Sequence, residues 1–124
     1  MTAMTPADAT ELEAVVERQL WAYNRGDLDD FAACYSDDIE LWNPDGSLMC
    51  RGTDQLRAIY GRLFEANPEQ QAIVVSRIVG NSVVVDREYV SGRREQKPFH
   101  AYAVFEVVEG LIRRGWFHRD DAPS

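Results

Sequence analysis

Cysteine is scarce: Cys34 and Cys50 are the two in 124 residues, far apart and in unlike contexts. That excludes a disulfide-stapled scaffold and points to two reduced, partly buried thiols in a cytoplasmic protein. Basic clusters are missing too. Arg93-Arg94 and Arg113-Arg114 are only pairs, and 13 Lys+Arg against 21 Asp+Glu give a formal net charge of -8. Nothing here could track a phosphate backbone or an anionic bilayer, so neither nucleic acid nor membrane is an expected partner. The acidic balance leans toward neutral or cationic small molecules. No apolar run is long enough to span a bilayer, and the stretch from Met1 to Pro6 lacks the basic and apolar regions of a leader. HExxH, CxxC, GxSxG, a glycine-rich phosphate loop and a dinucleotide fingerprint are all absent, so no metal and no cofactor is expected. Cys34 has no histidine near it in sequence, which argues against a catalytic thiol.

What is present fits one domain spanning residues 1–124, with 45% hydrophobic content and enough chain for a single core. Thr5-Pro6-Ala7-Asp8 starts a first helix, with Thr10 to Glu13 as a second capping signal. Leu12, Val15, Val16, Leu20 and Tyr23 form its buried face, and Asn24-Arg25-Gly26 ends it. Asp27 caps a second helix with Leu28, Phe31, Ala32 and Tyr35 as its apolar positions. Ile39 to Asn43 alternates as a short strand, and Asn43-Pro44-Asp45-Gly46 is a turn. A third helix starts at Gly52-Thr53-Asp54, carries Leu56, Ile59, Tyr60, Leu63 and Phe64, and stops at Asn67-Pro68.

From Gln71 onward four strands are predicted: Ala72–Val79, Ser82–Val90, Phe99–Val108 and Leu111–His118. Two-residue turns at Gly80-Asn81 and Glu109-Gly110 join them in hairpins, and Ser91 to Pro98 is a charged loop. Three helices followed by an antiparallel meander make an α+β fold, the N-terminal helices packed on one face of a curved sheet.

Register carries this reading toward chemistry. A two-residue loop at Gly80-Asn81 sets Val75 opposite Asp86 and Ile73 opposite Glu88, placing both carboxylates on one sheet face with Val84 and Arg77. Buried there, they would repel, and one would titrate near neutrality as an acid or base. Exposed there, Arg77 diagonal to Asp86 would make a surface ion pair. The opposite face is at least as apolar, which by itself favours exposure. Gln19, in the apolar face between Val16 and Tyr23, is either a structural amide or a donor on a cavity wall. The same arithmetic sets Ala101 opposite His118 and Ala103 opposite Trp116. It puts His100 and His118 on opposite faces unless a bulge intervenes, which disfavours a shared metal.

From about Val15 to Arg119 the chain resembles the nuclear-transport-factor-2-like superfamily, nearest its SnoaL-like and ketosteroid-isomerase-like proteins. The resemblance rests on AYNRGDLDDFAACYSDDIELWNP, RGTDQLRAIYGRLF, VVVDREYVSG and GLIRRGWFHRD. It implies a cone-shaped roll with a ligand cavity, and frequently a homodimer through the outer sheet face. Ketosteroid isomerases use an aspartate base, a tyrosine and a protonated aspartic acid. At those positions this chain has Asn43, Gln19 and Ala103. An amide is no base at neutral pH and alanine donates nothing, so isomerisation by that mechanism is excluded. Asp86 and Glu88 fall where the isomerases line the cavity with apolar side chains, which moves the balance toward a cavity pair.

The resulting expectation is a protein that holds a small, mostly apolar molecule in the cone. Asp86 and Glu88 would be the catalytic acid-base pair, and Gln19, Tyr23, Asn43, Trp116 and His118 would orient the ligand. The alternative is a non-catalytic ligand-binding or dimerisation module of the same fold.

Overall fold

In the computed structural model, which describes residues 6–120 and the side chains from residue 11 onward, helix α1 runs from Pro6 to Arg25. The Thr5 cap lies outside the described residues, and Thr10 falls inside the helix rather than at its start. Leu12, Val15, Val16 and Leu20 are buried along one face. Gly26 follows at φ +67°, a left-handed cap that a side chain would strain. Asp27 then accepts the Asp30 N–H at 3.0 Å and starts α2, Leu28–Ala33. Tyr35, predicted on that helix, instead opens strand β1, Tyr35–Trp42. The Cys34 carbonyl accepts the N–H of Ile112 at 2.9 Å, which draws the next residues into the sheet.

The strand β2, Leu48–Arg51, was not anticipated from the sequence. Its four residues, Leu-Met-Cys-Arg, include none of the β-branched or aromatic types that mark strands. Helix α3, Gly52–Ala66, buries Leu56, Tyr60 and Phe64. Strands β3 (Gln71–Val79), β4 (Val83–Ser91), β5 (Phe99–Val108) and β6 (Leu111–Arg119) complete a six-stranded curved sheet in the order β2-β1-β6-β5-β4-β3. The sheet is antiparallel except where β1 runs parallel to β6. No hairpin joins that pair, so no turn dictates its direction. The three helices pack on the inner face, with Phe31 of α2 in one core with Ile39, Leu41, Phe105 and Ile112 of the sheet.

Both hairpins bear on the site. Glu109 and Gly110 have φ of 52° and 80°, and Val108 pairs with Leu111 across the predicted two-residue turn. Beyond it β6 carries a bulge: Val107 pairs with Ile112 but Glu106 with Arg114, leaving Arg113 as the extra residue. Ala103 therefore faces Phe117, and Ala101 faces Arg119. That corrects the predicted pairing with Trp116 and His118. The other hairpin is also corrected. Neither Gly80 nor Asn81 takes the positive φ that a tight two-residue turn requires. The loop is four residues, Val79 pairs with Val84, and Asp86 lies directly opposite Arg77. A second irregularity at Val75 then sets Val74 opposite Glu88 and Ile73 opposite Tyr89.

Candidate functional site

A cavity of about 550 Å³ lies between the helices and the sheet. Its wall is mainly apolar and aromatic, including Leu20, Phe31, Ile59, Leu63, Val90, Phe99, Phe105 and Phe117. The rings of Tyr23, Phe31, Tyr35, Tyr60 and Phe64 pack against one another, with Phe31 and Tyr60 centroids 4.6 Å apart. Such edge-on and tilted contacts make a rigid floor.

Polar groups enter this wall at few points. The Tyr35 hydroxyl donates to Oε1 of Gln19 at 3.1 Å. Gln19 Nε2 has no partner among the described residues and opens on the cavity, as does the Tyr60 hydroxyl. Two uncommitted donors thus look into the space. Burial raises the pKa of both Tyr35 and Tyr60, and a charge on Glu88 raises them further. These phenols donate rather than ionise.

Glu88 is the only carboxylate on the cavity wall among the described residues. No described residue hydrogen-bonds to it. Desolvation, with the negative charge of Asp86 adding to it, lifts its carboxyl to about 7, against the pull of Arg77 and Arg93. The other predicted acid is placed differently. Asp86 is fully buried on the same face, but it lies off the cavity wall. It accepts two hydrogen bonds from Arg77, 2.6 Å from Nε and 2.9 Å from Nη2, and Arg77 also reaches Glu17 of α1 at 2.7 Å. The two carboxylates are therefore neither a surface pair nor a matched pair. One is locked in a fork-to-fork ion pair and the other is free in the cavity.

Tyr23 lines the cavity and sits in a relay that the sequence did not reveal. Its hydroxyl donates to Gln70 Oε1 at 2.8 Å and accepts from Arg93 Nη2 at 2.8 Å. Arg93 Nε also donates to Gln70 Oε1, at 3.2 Å. Gln70 Nε2 is buried without a partner among the described residues. The placement of Arg93 depends on Gly92, whose φ is +78° and whose missing Cβ would stand 2.3 Å from the Glu69 carbonyl oxygen. Only glycine lets the β4–β5 loop lie this close to the segment before β3. Ser91-Gly92-Arg93, at the end of a strand, was the signal available for this; it reads from sequence as an exposed loop.

Three predicted ligand contacts are corrected. The bulge at Arg113 turns Trp116 and His118 to the outer face and brings Phe117 and Arg119 inward. Asn43 is outside the wall as well, donating from Nδ2 to Ser47 Oγ at 3.1 Å within its own turn. The bulge also places His118 opposite Tyr102 and His100 beside Tyr89 on the outer face, rather than on opposite sides. Both cysteines are buried and free, and burial pushes the Cys34 thiol up to about 11, which makes it unreactive.

The family of SnoaL-like domains matches residues 16–115. The chain belongs to that family. Among solved structures, the SnoaL-like chain is similar to an uncharacterised cystatin-fold protein of Novosphingobium aromaticivorans. The TM-score is 0.81 at 23% identity, over 88% of this chain and 97% of that one. An LEH-like epoxide hydrolase of M. tuberculosis superposes with TM-score 0.79 at 22% identity, over 91% of this chain and 85% of that one. An NTF-2-like protein of unknown function from Burkholderia xenovorans gives 0.78 at 16%, over 93% and 87%. At such identities the likeness establishes the shared cone fold and nothing finer. No curated protein matches this sequence.

Proposed function

We propose that this SnoaL-like protein binds a small, mostly apolar molecule in the cone and moves a proton on it, with Glu88 as the acid-base group. The observation that carries this reading is Glu88 itself: a carboxyl with no hydrogen-bond partner among the described residues, facing an apolar cavity and poised near neutrality. At pH 7 such a group is present in both protonation states, so it can take a proton from one ligand atom and return it to another. Gln19 Nε2 and the Tyr60 hydroxyl would stabilise an oxygen that gains negative charge as the proton leaves. Asp86 does not touch the ligand in this scheme; its charge helps to hold Glu88 in the useful range. Isomerisation, cyclisation or hydrolysis by acid-base steps all fit this inventory.

The outer sheet face supports a homodimer. Ile73 and Ile78 are 60% and 70% exposed there, and Trp116 is 37% exposed on the same face. A cytoplasmic location is supported by the two free thiols. No helix among the described residues is long and apolar enough to cross a membrane.

Native mass spectrometry of the purified protein tests the first half: a small-molecule adduct should form and should be lost in Ala101→Trp, which fills the cavity. Exchange of solvent deuterium into the recovered ligand tests the second. Glu88→Gln should keep the ligand but abolish exchange. Exchange at the wild-type rate in that variant would leave a carrier, the non-catalytic member of the two readings.

A further inference from the structure

The distribution of arginines contradicts what the net charge of the chain suggests about its ligand. Outside the cavity, arginines other than the exposed Arg94 are held by carboxylates among the described residues: Arg18 by Asp30, Arg57 by Asp29, Arg87 by Asp120. On the cavity wall, Arg62 and Arg93 have no carboxylate within ion-pair distance among the described residues. A third wall residue, Arg119, stacks its guanidinium 3.8 Å from the centroid of Phe99, the ring that Arg93 approaches from 5.4 Å. Two like charges thus share one aromatic wall. Glu88 is the single acid on that wall, among the described residues, to set against Arg62 and Arg93, and it keeps its proton to near neutrality.

Arg93 is also built for the task. Tyr23 and Gln70 hold it through Nη2 and Nε, which fixes the guanidinium plane and leaves Nη1 without a partner among the described residues. Fixing the fork in advance reduces the entropy lost on pairing with a planar anion. A cation lying against apolar wall, with its counter-charge missing, is a site that an anion completes.

We infer that the ligand is an apolar, ring-sized molecule carrying an acidic group such as a carboxylate or sulfonate, two oxygens of which pair with Arg93 while its body fills the cavity between Phe99, Phe105 and Tyr60. This rests on the cavity-binding reading above and adds the ligand's charge. One consequence follows for the chemistry. Arg93 pulls the Glu88 proton off; an anion that neutralises Arg93 lets Glu88 take it back. Binding near neutrality therefore takes up a proton and arms Glu88 as an acid.

A matched pair of dyes tests this: anilinonaphthalene sulfonate, an anion, and phenylnaphthylamine, the same ring system without the acid. The sulfonate should bind at least about tenfold more tightly, the increment of one well-placed charged contact. That preference should shrink in Arg93→Gln and in Arg62→Gln, and Arg93→Lys, which keeps the charge but not the fork, should fall between Arg93→Gln and the wild type. Arg62 is exposed and donates only to the Ala58 carbonyl among the described residues, so its variant tests charge even if Arg93→Gln disturbs the loop. Equal affinity for the two dyes, or a preference unchanged in both arginine variants, overturns the inference. Ala101→Trp, with Ala66→Trp at the mouth as a second block, separates the two levels. Dyes that bind equally and are lost on blocking overturn only the anionic ligand, whereas dyes unaffected by either block overturn the cavity reading with it.

Discussion

Glu88 and Asp86 stand two positions apart on one strand, yet their surroundings divide them. Glu88 has an ordinary value of 4.5 and a folded value of about 7, so the folded state keeps its proton to higher pH than the unfolded chain. Its contribution to stability is complete below about pH 4.5 and is lost as pH rises through about 7. Spanning that interval is worth roughly 3 kcal/mol, to within about 1 kcal/mol. Urea unfolding at about pH 5 and about pH 8 should therefore show a larger loss on the alkaline side for the wild type than for Glu88→Gln. Equal losses would mean that Glu88 titrates normally. Its neighbours should move it in opposite directions. Asp86→Asn removes the charge that pushes Glu88 up, and carboxyl NMR should find its pKa lowered. Arg77→Met removes a charge that pulls it down and should raise it further. Leaving Asp86 buried without Arg77 should also destabilise the protein by about 3–5 kcal/mol. The sequence set Arg77 diagonal to Asp86 only as a surface pair; that Arg77 lies directly opposite and largely buried with it, leaving Glu88 alone, comes from the register across the hairpin.

At the scale of elements, the turns determine what the cavity contains. The helices were legible, since the apolar stripes of α1 and α3 and the caps at Asp27 and Gly26 are local signals. The strands β3 to β6 were legible within one residue at each end. Their register was not. One extra residue, Arg113, exchanges Trp116 and His118 for Phe117 and Arg119, because side chains alternate with period two. The non-tight loop after Val79 likewise gives Asp86 an arginine in place of a valine. Gly92 is the element-level position to test. Gly92→Ala meets both a positive φ and a backbone oxygen at 2.3 Å, and should cost about 2 kcal/mol or more. Arg93 should shift with it, so the dye preference for an anion should fall together with the melting temperature. A variant as stable as the wild type would show that the loop is free to move and does not fix Arg93.

For the whole molecule, the sheet has one buried face and one that keeps Ile73, Ile78 and Trp116 in the open. If that face joins two copies, light scattering should give a dimer, and Ile78→Lys should yield a folded monomer with unchanged secondary structure. A wild-type monomer at micromolar concentration would refute the interface. Dye binding should survive this substitution, because the cavity and the outer face lie on opposite sides of the sheet.

By itself the sequence determined the class of container: helical stripes, capping residues and strand composition are set by each residue's own conformational preferences and spacing. It also carried the expectation that the standard isomerase chemistry is missing, since at the positions the resemblance assigns an amide is no base and alanine donates nothing. Which groups share the interior was decided only by the tertiary structure. A bulge or a loop residue changes pairing by one place at no visible cost in composition, and charges tune one another through space rather than along the chain. Glu88 came to face the cavity with Gln19, Tyr60 and Arg93, four residues drawn from α1, α3, β4 and the loop after it, because the sheet curls under the helices.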